Sequence, residues 1–403
     1  MEAKNKKQTL DDFYDRARQL AQVIETNQKE ILSLLTAYET HDAAHDEIIR
    51  SIEALQGAEQ EFNAIDNPHS NLNISTFFPL NLPLYSLILF GVMPSAFAKN
   101  VFIRPPQVME TVLDQLWGLL DIANTFPELS LKVVPRHIFV SLYASESDLI
   151  IFTGKYHNAL AIHEKCPDSL LLYNGSGVNP FIVFDNADLT LALDKAVEMR
   201  CFNSGQDCAG PDVFFVAESI TPQFIEGLKK RLDGIKVGET SDADTDVGPT
   251  VKPSYIAELV DWIEDTESDI VYGGQIDVKQ QFVHPTVALS SLKNNKLHDF
   301  HEFFAPFFNV VSFADDDELQ SVLNMKSFRD RGMYISVFGE NKNIEQKLDF
   351  VKILKNCIVN DVEKGNHEYG GYGEKANFLL YGDQKITQPV LVSRDIHLMI
   401  PTE

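Results

Sequence analysis

The sequence predicts an α/β protein. Short runs rich in Val, Ile and Phe, such as NVFIRP (100–105) and DLIIFTG (148–154), alternate with longer amphipathic segments. Runs of that length suit buried strands, and helices between them can cover both faces of a parallel sheet. The alternation occurs before and after residues 174–180, so two α/β units are expected to meet there.

Taken in order, residues 9–39 place Phe13, Ala17, Leu20, Ile24, then Ile31, Leu34 and Leu35 at helical spacing, with Thr9 or Asp11 as the cap. A second helix is predicted over 43–64, and the turn-rich IDNPHSNLN reads as a loop. NVFIRP, KVVPRHIFV (132–140) and DLIIFTG are the next strands, with VMETVLDQLWGLLDIANT as a helix among them. After residue 180 come the strand PFIVF, a helix over 187–203, the strand VFFVAES and the helix TPQFIEGLKKRL. Acidic GETSDADTDVGP (238–249) is a surface loop, and NVVSFA and YISVFG follow. The strand-like PVLVSRDIHLMI near the end is free to pair with something.

The 403 residues suffice for two or three domains with a large core. Fifty-nine acids against 34 bases leave a net charge of −25, which opposes binding to nucleic acid or anionic membrane. The apolar stretch FFPLNLPLYSLILFGVMPSAFA is interrupted by Pro79, Asn81, Pro83 and Pro94. A spanning helix needs about 20 continuous apolar residues, so no membrane span is expected. MEAKNKKQTLDD lacks the apolar centre of a signal peptide. Four cysteines form no disulfide framework, which points to a reducing, cytoplasmic setting with thiols available for chemistry.

Three motifs bear on chemistry. His41 and His45 lie four apart on a predicted helix, but no third strong ligand set accompanies them, and HDAAHDE suits a solvated face; no metal is expected. FTGKYHNA (152–159) ends a strand and opens a helix, where backbone N–H groups suit a pyrophosphate; a plain strand-to-helix turn reads the same way. In CFNSGQDCAG (201–210), Cys208 sits on a small, polar loop where a substrate can reach a thiolate. Cys166, Cys201 and Cys357 lie in more apolar or helical settings that suit structural thiols.

Taken together and in order, PLNLPL, VFIRPP, IIFTG, NPFIVFDNADL, FNSGQDCAGPD, FVHPTV, HEFFAPF and YGGYG resemble the landmarks of the NAD(P)-dependent aldehyde dehydrogenase superfamily across nearly the whole chain. Around Cys208 the likeness is to its short, class-3 or fatty-aldehyde branch. The resemblance implies a helical N-terminus and Rossmann-type cofactor domain over 1–176, an α/β catalytic domain over 177–384 and a C-terminal tail over 385–403 that offers an oligomerisation strand. It implies that Cys208 attacks an aldehyde, that Asn81 stabilises the oxyanion, and that Glu302 holds the nicotinamide-side ribose with Phe304 beside it. Arg104, Gln107, Gly154 and Lys155 fall at the cofactor positions.

Three departures qualify the resemblance. The Glu-Leu-Gly-Gly-Lys motif has become Asn174-Gly175-Ser176-Gly177-Val178, so an amide stands near the place of the general base. Lys155 and Ala159 replace small residues of the phosphate turn. Arg104 and Gln107 replace the Lys and Glu of Lys-Pro-Ser-Glu, which favours NADP over NAD because a guanidinium fork suits phosphate. The family's oligomerisation hairpin before Pro79 is reduced to a short polar run, which leaves the oligomeric state open.

The expected function is interconversion of an aldehyde and an acyl thioester on Cys208, with coenzyme A or a carrier protein as partner. The alternatives are a hydrolytic aldehyde dehydrogenase using another base, such as Glu164 or a water chain, and a non-catalytic relative. The apolar LPLYSLILF suggests an apolar acyl chain, although core packing explains it equally.

Overall fold

A computed structural model describes residues 2–65, 71–175, 177–265, 269–293 and 300–399, without the side chains of residues 2–9 and 265. Residues 66–70 of the expected IDNPHSNLN loop, the Thr9 side chain, Ser176 and the last residues of the tail lie outside the described residues.

Two seven-stranded sheets carry the fold. The first contains β1 (Leu72–Phe77), β2 (Ala98–Arg104), β3 (Leu129–Leu131), β4 (Leu149–Thr153) and β5 (Leu170–Asn174). These five run parallel in the order β5-β4-β1-β2-β3. The second sheet takes β6 (Asn179–Val183), β7 (Pro211–Ala217) and β8 (Asp269–Tyr272). A small ladder of β9 (Ile276–Asp277) and β10 (Phe282–Val283) stands apart. β11 (Thr286–Ser291), β12 (Phe307–Phe313), β13 (Tyr334–Phe338) and β14 (Lys352–Lys355) complete the second sheet, ordered β14-β13-β6-β7-β12-β11-β8, with β8 alone antiparallel. The chain then returns: β15 (Asn377–Tyr381) and β16 (Gln384–Thr387) add to the first sheet as an antiparallel hairpin on β5.

Several local expectations need correction. The helix over 9–39 begins earlier and is two helices, Glu2–Thr26 and Gln28–Leu35, so neither Thr9 nor Asp11 is its cap. The polar run before Pro79 contains β1, an interior strand of the first sheet between β4 and β2. Its Ser75 and Thr76 are fully buried, because Ser75 Oγ meets Ser147 Oγ at 2.9 Å and Thr76 Oγ1 donates to the Phe90 carbonyl at 3.0 Å. Paired hydroxyls let polar residues occupy a core strand. KVVPRHIFV is not a strand: β3 stops at Leu131, and Arg136–Leu142 is a helix that Pro135 opens. Pro135 lacks the N–H a strand ladder needs but suits a helix start. The strand expected in PVLVSRDIHLMI is a single antiparallel bridge, Tyr369 to Val390, followed by the helical turn Val392–Asp395.

The interrupted apolar stretch is buried helix. Pro83 opens the turn Pro83–Leu87, a π-turn follows over Ile88–Val92, and Met93–Ser95 closes it. No helix among the described residues is long and apolar enough to cross a membrane.

Candidate active site

In parallel sheets, ligands collect at the carboxyl ends of the strands. Here those ends hold most of the expected site. Phe77 of β1 pairs with Arg104 of β2 and Phe152 of β4, and Thr153 of β4 pairs with Asn174 of β5. Just beyond β1 lies Asn81, and just beyond β4 lies Gly154 at φ 145°, a conformation that side chains rarely adopt. Gln107 is exposed at the start of the short turn after β2.

The second sheet supplies the thiol. Cys208 follows a turn in which Asn203, Ser204 and Gly205 have φ of 45°, 59° and 74°. Arg200, fully buried, ties this loop to the segment before β12: it donates to Gly205 O at 3.1 Å, Pro211 O at 3.0 Å and Ala305 O at 2.9 Å, and also to Phe303 O. Asp212 accepts from Phe303 N and from Asn179 N, each at 3.0 Å. Asn179 Nδ2 in turn donates to the Cys208 carbonyl at 2.8 Å. The Cys208 loop and the strip bearing Glu302 and Phe304 are therefore one braced unit.

Asn81, Asn174 and Cys208 line one cavity of about 100 Å³. Asn81 Nδ2 donates to Gln206 O at 3.1 Å, two residues from the thiol. Asn174 Oδ1 accepts from Asn377 Nδ2 at 2.8 Å. Leu89, Phe90 and Met93 supply an apolar wall, and Val390 and Leu391 of the tail close it. Glu164, the alternative base, is exposed at the end of the helix Tyr156–His163 and does not line this cavity.

The sequence reading missed three side chains. Tyr369 OH lies 2.8 Å from Cys208 Sγ. Glu363 lines the cavity and accepts from Arg50 at 2.9 Å; burial pushes its carboxyl up to about 7, against the pull of Arg50. Arg136 donates to Asn158 Oδ1 at 2.8 Å beside Arg104. YGGYG signalled a landmark near Tyr369, but nothing in the sequence distinguished Glu363 or Arg136. The free thiol itself is pushed well above its ordinary value, first by burial and then by Asp207.

The cofactor positions divide. Arg104 Nε donates to Val134 O at 3.2 Å, and burial followed by the Arg136 guanidinium lowers its pKa. Two adjacent cations at a strand end, one of them desolvated, fit an extra phosphate. Phe304 stacks on Tyr255 at 4.7 Å, and Glu302 lies within electrostatic reach of Cys208. Lys155 instead pairs with Glu258 at 3.1 Å on the surface. His41 and His45 gather no metal site; among the described residues no cluster of three such ligands forms.

The arrangement defines a class of protein: two α/β units with a strained cysteine loop facing the strand ends of a nucleotide-type sheet. The chain belongs to the aldehyde dehydrogenase family, whose sequence profile matches residues 6–377. It is 31% identical over 299 residues to a probable succinate-semialdehyde dehydrogenase [NADP(+)] of Synechocystis, covering 68% of this chain and 62% of that one. It is 32% identical over 273 residues to succinate-semialdehyde dehydrogenase [NADP(+)] 1 of Mycobacterium tuberculosis, covering 63% and 57%. The matches thus span only about six-tenths of those relatives' length. Among solved structures, succinic semialdehyde dehydrogenase from Streptococcus pyogenes in complex with NADP+ superposes with a TM-score of 0.81 at 19% identity, covering 95% of this chain and 89% of that one. Glyceraldehyde-3-phosphate dehydrogenase from Methanocaldococcus jannaschii complexed with NADP gives 0.80 at 19%, covering 98% and 90%. At that identity the likeness is one of fold.

Proposed function

We propose that the protein is an NADP-dependent oxidoreductase that interconverts an aldehyde and a thioester on Cys208. The observation that carries this reading is the cavity shared by Cys208, Asn81 and Asn174. The Cys208 sulfur adds to the aldehyde carbon, and the Asn81 amide turns from Gln206 to the oxygen as it becomes negative. A bound nicotinamide would take or return the hydride. Glu302 and Phe304 would hold its ribose, and Arg104 with Arg136 a 2′-phosphate. The names of the two curated relatives support NADP, and the apolar wall supports an apolar acyl chain.

Asn174 decides the fate of the thioester. An amide takes no proton from water near neutral pH, and its oxygen is already engaged by Asn377. The acyl group then waits for a thiol such as coenzyme A or a carrier protein, whose anion needs less help. One observation favours a second reading, hydrolysis: Glu363 lines the cavity with a carboxyl poised at about 7. Its carboxylate would take a water proton as the oxygen bonds to the acyl carbon and the Cys208 thiolate leaves.

The test is NADPH formation from an aldehyde with and without added thiol. Thioester transfer gives one burst without acceptor and steady turnover with it. Sustained acceptor-free oxidation to free acid would refute it. If Glu363→Gln then lowered that turnover by roughly 10²-fold or more, the hydrolytic reading would stand in its place.

A further inference from the structure

Tyr369 is held from both sides. Its N–H donates to Val390 O at 3.0 Å, and Val390 N–H donates to Tyr369 O at 2.8 Å. Its ring meets Tyr334 edge-on with centroids 5.8 Å apart, and the Tyr334 hydroxyl accepts from Gly370 N at 2.8 Å. The tail that supplies Val390 is itself anchored. Buried Asp395 accepts from Leu391 N at 2.9 Å, and Ser393 Oγ donates to Glu61. The phenol that these contacts place against Cys208 therefore has little freedom to leave it.

The surroundings of the sulfur are otherwise hostile to a thiolate. Burial acts first, and the Asp207 carboxyl beside it acts next in the same direction. Glu302 and Glu363 add to this, whereas the Tyr369 hydroxyl favours the anion. Tyr173, Tyr255 and Tyr334 also lie within electrostatic reach of the sulfur, and burial keeps each phenol neutral. Tyr369 is kept neutral in the same way, so its hydroxyl retains a proton that it can donate to an anionic sulfur.

We propose that Tyr369 is a catalytic residue, whose hydroxyl donates to the Cys208 sulfur whenever that sulfur carries negative charge, and that the segment around Val390 positions it. The negative sulfur occurs twice. It forms when the thiol loses its proton before attack. It forms again when the thioester C–S bond breaks and the electron pair stays on sulfur. The phenol keeps its proton in both cases. The inference rests on Cys208 being the nucleophile of the proposed function.

The experiment is alkylation of the full chain with iodoacetamide across pH 6–10, resolved at each cysteine by mass spectrometry. Tyr369→Phe should move the Cys208 profile upward by about one unit, an approximately tenfold loss of rate at pH 8. Buried Cys201 should stay slow in both proteins, as a report on intact folding. Val390→Pro removes one bridge N–H and should shift Cys208 in the same direction by less; it decides the matter if Tyr369→Phe does not fold. Cys208 labelling with an unchanged profile in the folded variant would overturn the proposal while sparing the nucleophile assignment. Parent protein that labels at other cysteines and never at Cys208 would overturn both.

Discussion

Gly205 shows what the Cys208 loop demands of single residues. Its φ is 74°, and a Cβ there would sit 2.3 Å from the Ala305 carbonyl, so only glycine brings the loop this close to the strip before β12. Asn203 and Ser204 share the left-handed turn without that freedom, and such strain persists only where neighbours enforce it. Gly248 N–H donates to Ser204 Oγ at 2.8 Å, and Arg200 grips Gly205 O. At the opposite edge, Arg104 and Arg136 make a charge pair that an added phosphate would relieve. Arg136→Ala should weaken NADPH binding by about tenfold or more, the worth of a charged hydrogen bond, and change NADH binding little. Fluorescence titration of both nucleotides checks this; equal losses would mean that Arg136 serves only its Asn158 contact. Arg104 and the cysteine loop were legible in the sequence because each is local. Arg136 was hidden in a run misread as strand.

Within the elements, the helix from Pro83 to Ser95 depends on a side chain from elsewhere. Pro94 has no N–H to offer the Phe90 carbonyl four residues earlier, and the chain widens to a π-turn over Ile88–Val92. Thr76 Oγ1 from the adjacent β1 donates to that carbonyl at 3.0 Å. This accounts for a polar residue on an interior strand of the first sheet. Thr76→Val keeps the shape and removes the donor, and should destabilise the protein by about 1–3 kcal/mol in urea unfolding. No change in the midpoint would show that water or a shifted helix satisfies the carbonyl instead. The same pairing explains why β1 was illegible: LNISTF carries its own hydroxyls, and only their partners reveal that it is buried.

Across the whole molecule, buried carboxyls set the response to pH. Burial raises Glu47 and Glu363 to about 7 from 4.5, and Asp212 to about 6 from 3.8. Folded protein thus binds these protons more tightly than unfolded chain. Stability should be greatest near or below the unfolded values and fall as pH rises through the folded ones, each group contributing on the order of 1–3 kcal/mol. The net charge of −25 at pH 7 adds repulsion in the same direction. Thermal melts at constant ionic strength should show a lower Tm at about pH 8 than at about pH 5.5, and Glu47→Gln should flatten the difference. A Tm that rises over this window would contradict the assignment.

By itself the sequence determined the α/β class and the order of strands and loops around Cys208. Those features are encoded locally, in apolar runs, turn residues and ordered motifs. Tertiary structure alone decided which carboxyl and which phenol face the sulfur, that β15 and β16 return to the first sheet, and that the tail closes the cavity. Tyr369 and Cys208 are 161 positions apart. No periodicity records such a contact, because it arises from the packing of distant segments, where burial and proximity replace spacing as the source of chemistry.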